Sequence, residues 1–200
     1  MPKLQDLLIS KVRVKILELF LQQPEEMRYV REITRDLKEE INAVRRELER
    51  MVSIGLLKEE SRGNRKYFTV NTSYLFYPEF MRLIAKTTGL GKEIRKNEKK
   101  LGSLRYVMFT GRFATRLPRP NDEIDVLVIG EVVLPELDLL IKKEEQVRGR
   151  EINYAVMSDE EFEFRKTRRD PFVVQLLELP RVMILGTEEK LLERKPALMT

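Results

Sequence analysis

Asn42, Arg45, Arg46, Glu49 and Arg50 carry the chemistry in this chain best suited to meeting another molecule. An arginine fork matches the O6 and N7 edge of guanine, and an asparagine amide matches the N6 and N7 edge of adenine, both in the major groove of duplex DNA. Ile41, Val44, Leu48, Met51 and Val52 recur at spacings of three, four and seven, so they form one apolar helical stripe and leave the five polar residues on the other face. A helix is also the element that fits a major groove. A second basic group, Arg62, Arg65 and Lys66 with Asn64 among them, lies around Ser61-Arg62-Gly63-Asn64-Arg65, where Gly and Asn make positive φ cheap. Cations at such a turn reach phosphate or a minor groove.

Flanking elements must hold these groups in place. Gly55 predicts the end of the helix, and Leu56 to Glu60 and Lys66 to Val70 predict two strands around the basic turn. Upstream, Leu4 to Gln22 predicts a helix with Leu7, Leu8, Val12, Val14, Ile16, Leu17, Leu19 and Phe20 as core candidates, ending at Gln23-Pro24. Val30 to Leu37 predicts another, with Ile33 and Leu37 facing inward. Downstream, Tyr74 to Ile84 begins as an aromatic-rich entry and continues as a helix. Each feature alone also describes a solvated basic surface; their order is what argues for DNA.

From Ser10-Lys11-Val12-Arg13 to Tyr67-Phe68-Thr69-Val70, about the first two fifths of the chain, the segment resembles winged helix-turn-helix repressors of the ArsR-like type. The resemblance implies binding of double-stranded DNA through Asn42, Arg45, Arg46, Arg62, Asn64, Arg65 and Lys66. It also implies a homodimer, because one short helix reads few base pairs while two-fold related helices read two half-sites one turn apart. The helix after Tyr74 then joins the subunits or packs on its own domain. Many repressors of this class sense metals through Cys and His, and this chain has neither. The remaining oxygen ligands hold soft or borderline metals poorly.

Composition sets further bounds. Two hundred residues with 42% hydrophobic content suit two small domains with ordinary cores. Without cysteine there is no disulfide framework, thiol nucleophile or zinc finger, and without histidine no imidazole catalysis. No run of about 20 apolar residues and no signal-peptide pattern is present, which predicts a cytoplasmic protein with no membrane partner. The net charge of +5 is unevenly spread: residues 1–86 hold 17 basic and 13 acidic groups, residues 87–105 hold 6 and 2, and the rest holds 15 and 18. A basic front half suits phosphate contacts whose strength falls with salt.

Thr87 to Ser103, with Gly89, Gly91 and Gly102 framing a Lys-rich stretch, predicts a partly helical connection between a domain at 1–86 and another at 104–200. Beyond it, strands are predicted at Tyr106 to Phe109, Ile124 to Ile129, Ile152 to Met157 and Val182 to Gly186, with helices at Pro135 to Val147 and Glu160 to Arg168. The expectation is a small α/β domain with a mixed sheet, and an α+β protein as a whole.

Phe109-Thr110-Gly111-Arg112, then Phe113 to Asp122, then Glu123-Ile124-Asp125-Val126 resembles the minimal nucleotidyltransferases of the polymerase-beta superfamily. That family places a Gly-Ser turn after one strand, Asp-x-Asp on the next and a third carboxylate on a later strand. The resemblance implies nucleotide phosphate at Gly111 and Arg112, and Mg²⁺ held by Glu123 and Asp125, since alternate strand positions share a face, with Glu151 as an alternative third carboxylate for an active enzyme. This chain departs from the pattern: Arg112 replaces the serine, Glu123 the first aspartate, and Asn153 the third acidic residue. Such changes weaken a Mg²⁺ site that needs near-ideal octahedral geometry, so no cofactor is expected, and Mg²⁺ only with an active site. Arg112, with Arg116 and Arg119, then suits anion or nucleotide binding without catalysis. Together the halves resemble prokaryotic transcriptional regulators carrying a nucleotidyltransferase domain. The expected protein is a DNA-binding regulator whose second domain, inactive as an enzyme, serves sensing, dimerisation or partner binding. Two alternatives stay open: a Mg²⁺-dependent nucleotidyltransferase, and an antitoxin-type partner protein.

Overall fold

The computed structural model describes residues 10–118 and 120–193, and the chain divides into two units between Thr87 and Thr88. The first runs α1 (Lys11–Gln22), β1 (Arg28–Tyr29), α2 (Val30–Leu37), α3 (Ile41–Ser53), β2 (Leu57–Arg62), β3 (Arg65–Val70) and α4 (Tyr77–Thr87). Ser10 caps α1 by accepting from the Arg13 backbone N–H at 3.2 Å. The part of that helix expected from Leu4, with Leu7 and Leu8, lies outside the described residues. Val14, Ile16, Leu17 and Phe20 are buried with Ile33 of α2 and Val44, Leu48 and Met51 of α3, while Val12, Leu19, Leu37 and Val52 pack around them half-buried. The helical stripe thus finds its partners on α1 and α2.

α3 stops where its sequence says. Gly55 lies at φ +78, its N–H reaches the Val52 carbonyl at 2.9 Å, and the Leu56 N–H reaches Met51 at 2.9 Å, so the last carbonyls are satisfied. The hairpin is longer than expected. β2 and β3 pair down to Arg62 opposite Arg65, leaving only Gly63 and Asn64 as the turn. Gly63 at φ +60 supplies the positive φ that a two-residue hairpin requires. β1 joins the far side of β3, giving the antiparallel order β1-β3-β2.

Arg28, on β1, is only 6% exposed. It bonds Asp36 at 3.0 Å and also Glu26 and Gln23, with Glu32 at 3.6 Å. This buried cation ties β1 to α2.

The second unit contains α5 (Gly89–Lys96), α6 (Glu98–Leu101), β4 (Gly102–Thr110), α7 (Gly111–Ala114), β5 (Val126–Val132), α8 (Leu134–Arg148), β6 (Tyr154–Met157), α9 (Asp159–Thr167), α10 (Pro171–Glu178), β7 (Arg181–Leu185) and α11 (Glu188–Leu192). The stretch 87–103, expected to be a connection, belongs to this unit: Leu90, Ile94 and Leu101 are buried, and α5 and α6 pack on α8. The sheet order is β6-β5-β4-β7, with β5 and β6 parallel and the other pairs antiparallel. Tyr106 and Met108 of β4 join a core with Phe162 of α9 and Val173 and Leu176 of α10. By alternation Phe109 faces the other way, where it meets Phe113 of α7 edge-on at 5.0 Å. Arg148 of α8 lies 3.8 Å over that same ring. Cover on both faces explains the continuous apolar run of β4. The two sheets and 11 helices among the described residues make the protein α+β.

Two strand boundaries differ from expectation in a way that matters for chemistry. β5 begins at Val126 and β6 at Tyr154, so Glu123, Asp125, Glu151 and Asn153 precede their strands. Strand alternation therefore does not set their directions.

Candidate nucleic-acid interface

Glu40 starts α3: its carboxylate accepts from the backbone N–H groups of Asn42 and Ala43, each at 2.8 Å. These two bonds, with attraction from Arg46 and Arg45, hold the Glu40 carboxyl below its ordinary range despite slight burial. On the inner face, Glu47 accepts from the Ser10 hydroxyl at 2.6 Å and from Arg13 Nε at 2.8 Å. Burial pushes the Glu47 carboxyl up, but the Ser10 and Arg13 bonds outweigh it and the net shift is downward. Lys15 of α1 reaches Glu39 at 2.5 Å and the Leu37 carbonyl at 3.4 Å, fastening the turn between α2 and α3. Polar ties thus fix the roll of α3, and Asn42, Arg45, Arg46, Glu49 and Arg50 all remain exposed.

Beside that face lies a groove of about 590 Å³, lined by Arg45 and Glu49 of α3 and by Glu59, Asn64, Arg65 and Lys66 of the hairpin. Tyr29, Val30, Arg31 and Phe68 complete the wall, and neither Tyr29 nor Arg31 is conspicuous in the sequence. The structure therefore brings Arg45 together with Asn64, Arg65 and Lys66. Asn42 and Arg46 stand on the exposed face of α3 outside the groove lining, and Arg62 turns back to Glu60 at 2.8 Å, over the Tyr67 ring at 5.8 Å. Arg65 lies over Tyr29 at 5.1 Å, and Lys66 pairs with Glu59 at 2.8 Å. The hydrogen bonds that Arg62 and Lys66 donate to Glu60 and Glu59, respectively, hold both cations above their ordinary values. Arg62 and Lys66 are therefore charged at any physiological pH.

The second expected site is arranged differently. Asp125 is fully buried, and its carboxylate takes the Asn153 backbone N–H at 3.0 Å and the Arg150 guanidinium at 3.3 Å. Glu123 pairs with Arg112 at 3.5 Å, and Arg112 also donates to the Pro118 carbonyl at 3.0 Å. Asn153 spends its amide on the carbonyls of Asn121 at 2.6 Å and Glu123 at 3.1 Å. Glu151 is exposed, on an open groove of about 650 Å³ shared with Arg150 and Asn153. The Gly111 N–H donates to the Pro180 carbonyl at 2.6 Å, and a Cβ on Gly111 would stand 2.8 Å from the Pro180 side chain. Close packing on Pro180 accounts for that glycine, and its N–H is taken. Arg119 lies outside the described residues.

A Mg²⁺ ion at this place would have to displace Arg150 from Asp125 and Arg112 from Glu123. Among the described residues no group of three or more His, Cys, Asp or Glu is placed to hold a metal. The donor set does not fit the ion. Nor, among the described residues, is any helix long and apolar enough to cross a membrane. No family model, curated protein or solved structure matches this chain.

Proposed function

We propose that the chain is a cytoplasmic transcriptional regulator that binds double-stranded DNA as a homodimer through a winged helix-turn-helix. The observation that carries this reading is the shared groove of α3 and the hairpin, where Arg45 lies with Asn64, Arg65 and Lys66 beside the exposed Asn42 and Arg46. α3 enters the major groove, Asn42, Arg45 and Arg46 meet base edges, and the hairpin lies along the backbone. A second copy supplies the other half-site, so the recognised sequence is palindromic.

The second unit acts without nucleotidyl transfer, as a sensing, dimerisation or partner-binding module. Support comes from Asp125, whose buried carboxylate is already neutralised by Arg150. Incubation with labelled nucleoside triphosphates and Mg²⁺ is expected to leave the protein and its partners unlabelled. Selection from random duplexes at several salt concentrations tests the regulator: a palindrome is expected. Arg45→Ala with Arg46→Ala is expected to abolish the preference, at about 1–3 kcal/mol per lost bidentate contact, with the fold intact. Unchanged preference would remove α3 from base reading.

A further inference from the structure

Lys92 and Lys96 of α5 and Lys99 and Lys100 of α6 are all exposed. Lys92 and Lys96 are one helical turn apart and share a face. α6 follows after Asn97, whose amide donates to the Glu93 carbonyl at 2.9 Å and closes α5. The same two helices are anchored from behind: Leu90, Ile94 and Leu101 are buried, and Arg95 turns inward to the Ile184 carbonyl at 2.9 Å. These lysines therefore stand on a rigid backing.

Among the described residues, none of the four has an ion-pair or hydrogen-bond partner for its ammonium group. Other cations are divided: Arg62 pairs with Glu60, Lys66 with Glu59, Arg165 with Glu161 and Arg181 with Glu188, while the exposed Lys58, Lys142 and Lys143 have no ion pair among the described residues but are not gathered with two further lysines in one short stretch. The charge of this part of the chain is also segregated. Residues 87–105 hold 6 basic and 2 acidic groups, whereas residues 106–200 hold 15 and 18. Glu93 and Glu98 lie among these residues, yet five cations against two carboxylates between Lys92 and Lys100 leave an excess of positive charge that repels itself. A polyanion relieves that repulsion.

We infer that these four lysines form a second contact with the DNA backbone, gripping phosphates that flank the bases read by α3. The inference rests on the DNA-binding reading above. Lysine suits the task, because an ammonium is a compact charge that neutralises phosphate without selecting a base. The tether is short, with Lys92 only five residues beyond Thr87. Once α3 is seated, the lysines meet the same duplex at high effective concentration.

The test compares the full chain with a variant carrying Lys92→Gln, Lys96→Gln, Lys99→Gln and Lys100→Gln, and with the four corresponding Lys→Arg changes. Affinity for a duplex extending beyond the selected site is read by fluorescence anisotropy against salt. Each phosphate contact contributes about −0.9 to the slope of log K against log salt, so the glutamine variant should lose about 3 to 4 units of slope. Between about 50 and 200 mM salt its affinity should fall about a hundredfold less than that of wild type. Base preference should not change, and the arginine variant should keep the wild-type slope. A wild-type slope in the glutamine variant, with an unchanged thermal midpoint, overturns the inference while leaving base reading by α3 in place. Loss of slope in the glutamine variant, when Arg45→Ala with Arg46→Ala keeps full affinity and preference, upholds the lysine contact and removes the α3 reading. Absence of DNA binding by wild type overturns both, as does lysine-dependent binding to phosphatidylserine vesicles without any effect on DNA.

Discussion

Lys38 sits at φ +53 and ψ +45, in the left-handed region, where α2 gives way to α3. Its N–H reaches the Arg35 carbonyl and the Glu39 N–H reaches Thr34, each at 3.3 Å, a helix ending that usually employs glycine. A lysine there carries a strain of about 1 kcal/mol, so Lys38→Gly should raise stability by up to that amount in a urea titration. Arg28 works in the opposite direction. Arg28→Met leaves Glu26, Glu32 and Asp36 facing one another and should cost about 3 kcal/mol in the same measurement. Arg28 illustrates a limit of sequence reading at this scale: a lone arginine between Met27 and Tyr29 reads as surface. Only the fold shows that carboxylates four and eight residues further on converge on it. Arg150 poses the same difficulty, being separated from Asp125 by 25 positions with no periodic relation. Tyr29 does too, since it reaches Arg65 only through its sheet pairing with Tyr67.

At the level of the element, the anchorage of α3 has a definite pH dependence. The carboxyls of Glu40 and Glu47 lie below their ordinary value of 4.5 in the folded chain. Each therefore binds protons more weakly when folded than when unfolded. Its contribution to stability is complete above 4.5 and is lost as pH falls through the lower folded value. Glu47→Gln should lower stability at neutral pH by about 2 kcal/mol and flatten the acid limb of the stability curve. An unaltered acid limb would show that Ser10 and Arg13 do not hold α3 through this carboxylate. The bounds of α2 and the end of α3 are legible in the sequence, the latter because a 3.6-residue apolar period meets a clear stop at Gly55. α5 and α6 are harder to see, since Gly89, Gly91 and Asn97 interrupt the pattern and their few apolar residues count only against α8. α10 does announce itself, in Asp170 accepting from the backbone of Phe172 and Val173 with Pro171 at the first helical position, a start signal overshadowed by the basic run before it.

For the molecule as a whole, the state of Asp125 separates the two broad classes of function. A ligand that binds only the folded state raises stability in proportion to the logarithm of its concentration, so Mg²⁺ in excess should leave the thermal midpoint unchanged. A rise would mean that Asp125 exchanges Arg150 for metal. Arg150→Ala should cost about 3 kcal/mol, because it removes a guanidinium that faces a fully buried carboxylate. The hairpin raises a different question, about what a salt titration can count. Arg62 and Lys66 already hold Glu60 and Glu59, so in the complex proposed above each pair would bring almost no net charge to displace the cation cloud of the duplex. Along the backbone these two cations would protect phosphates in a footprint while adding almost nothing to the salt slope, whereas Arg65, which lies over Tyr29 and, among the described residues, not against a carboxylate, would add to it. Glu59 and Glu60 are built-in counterions, and a phosphate contact masked by them would be silent in a titration that counts released ions.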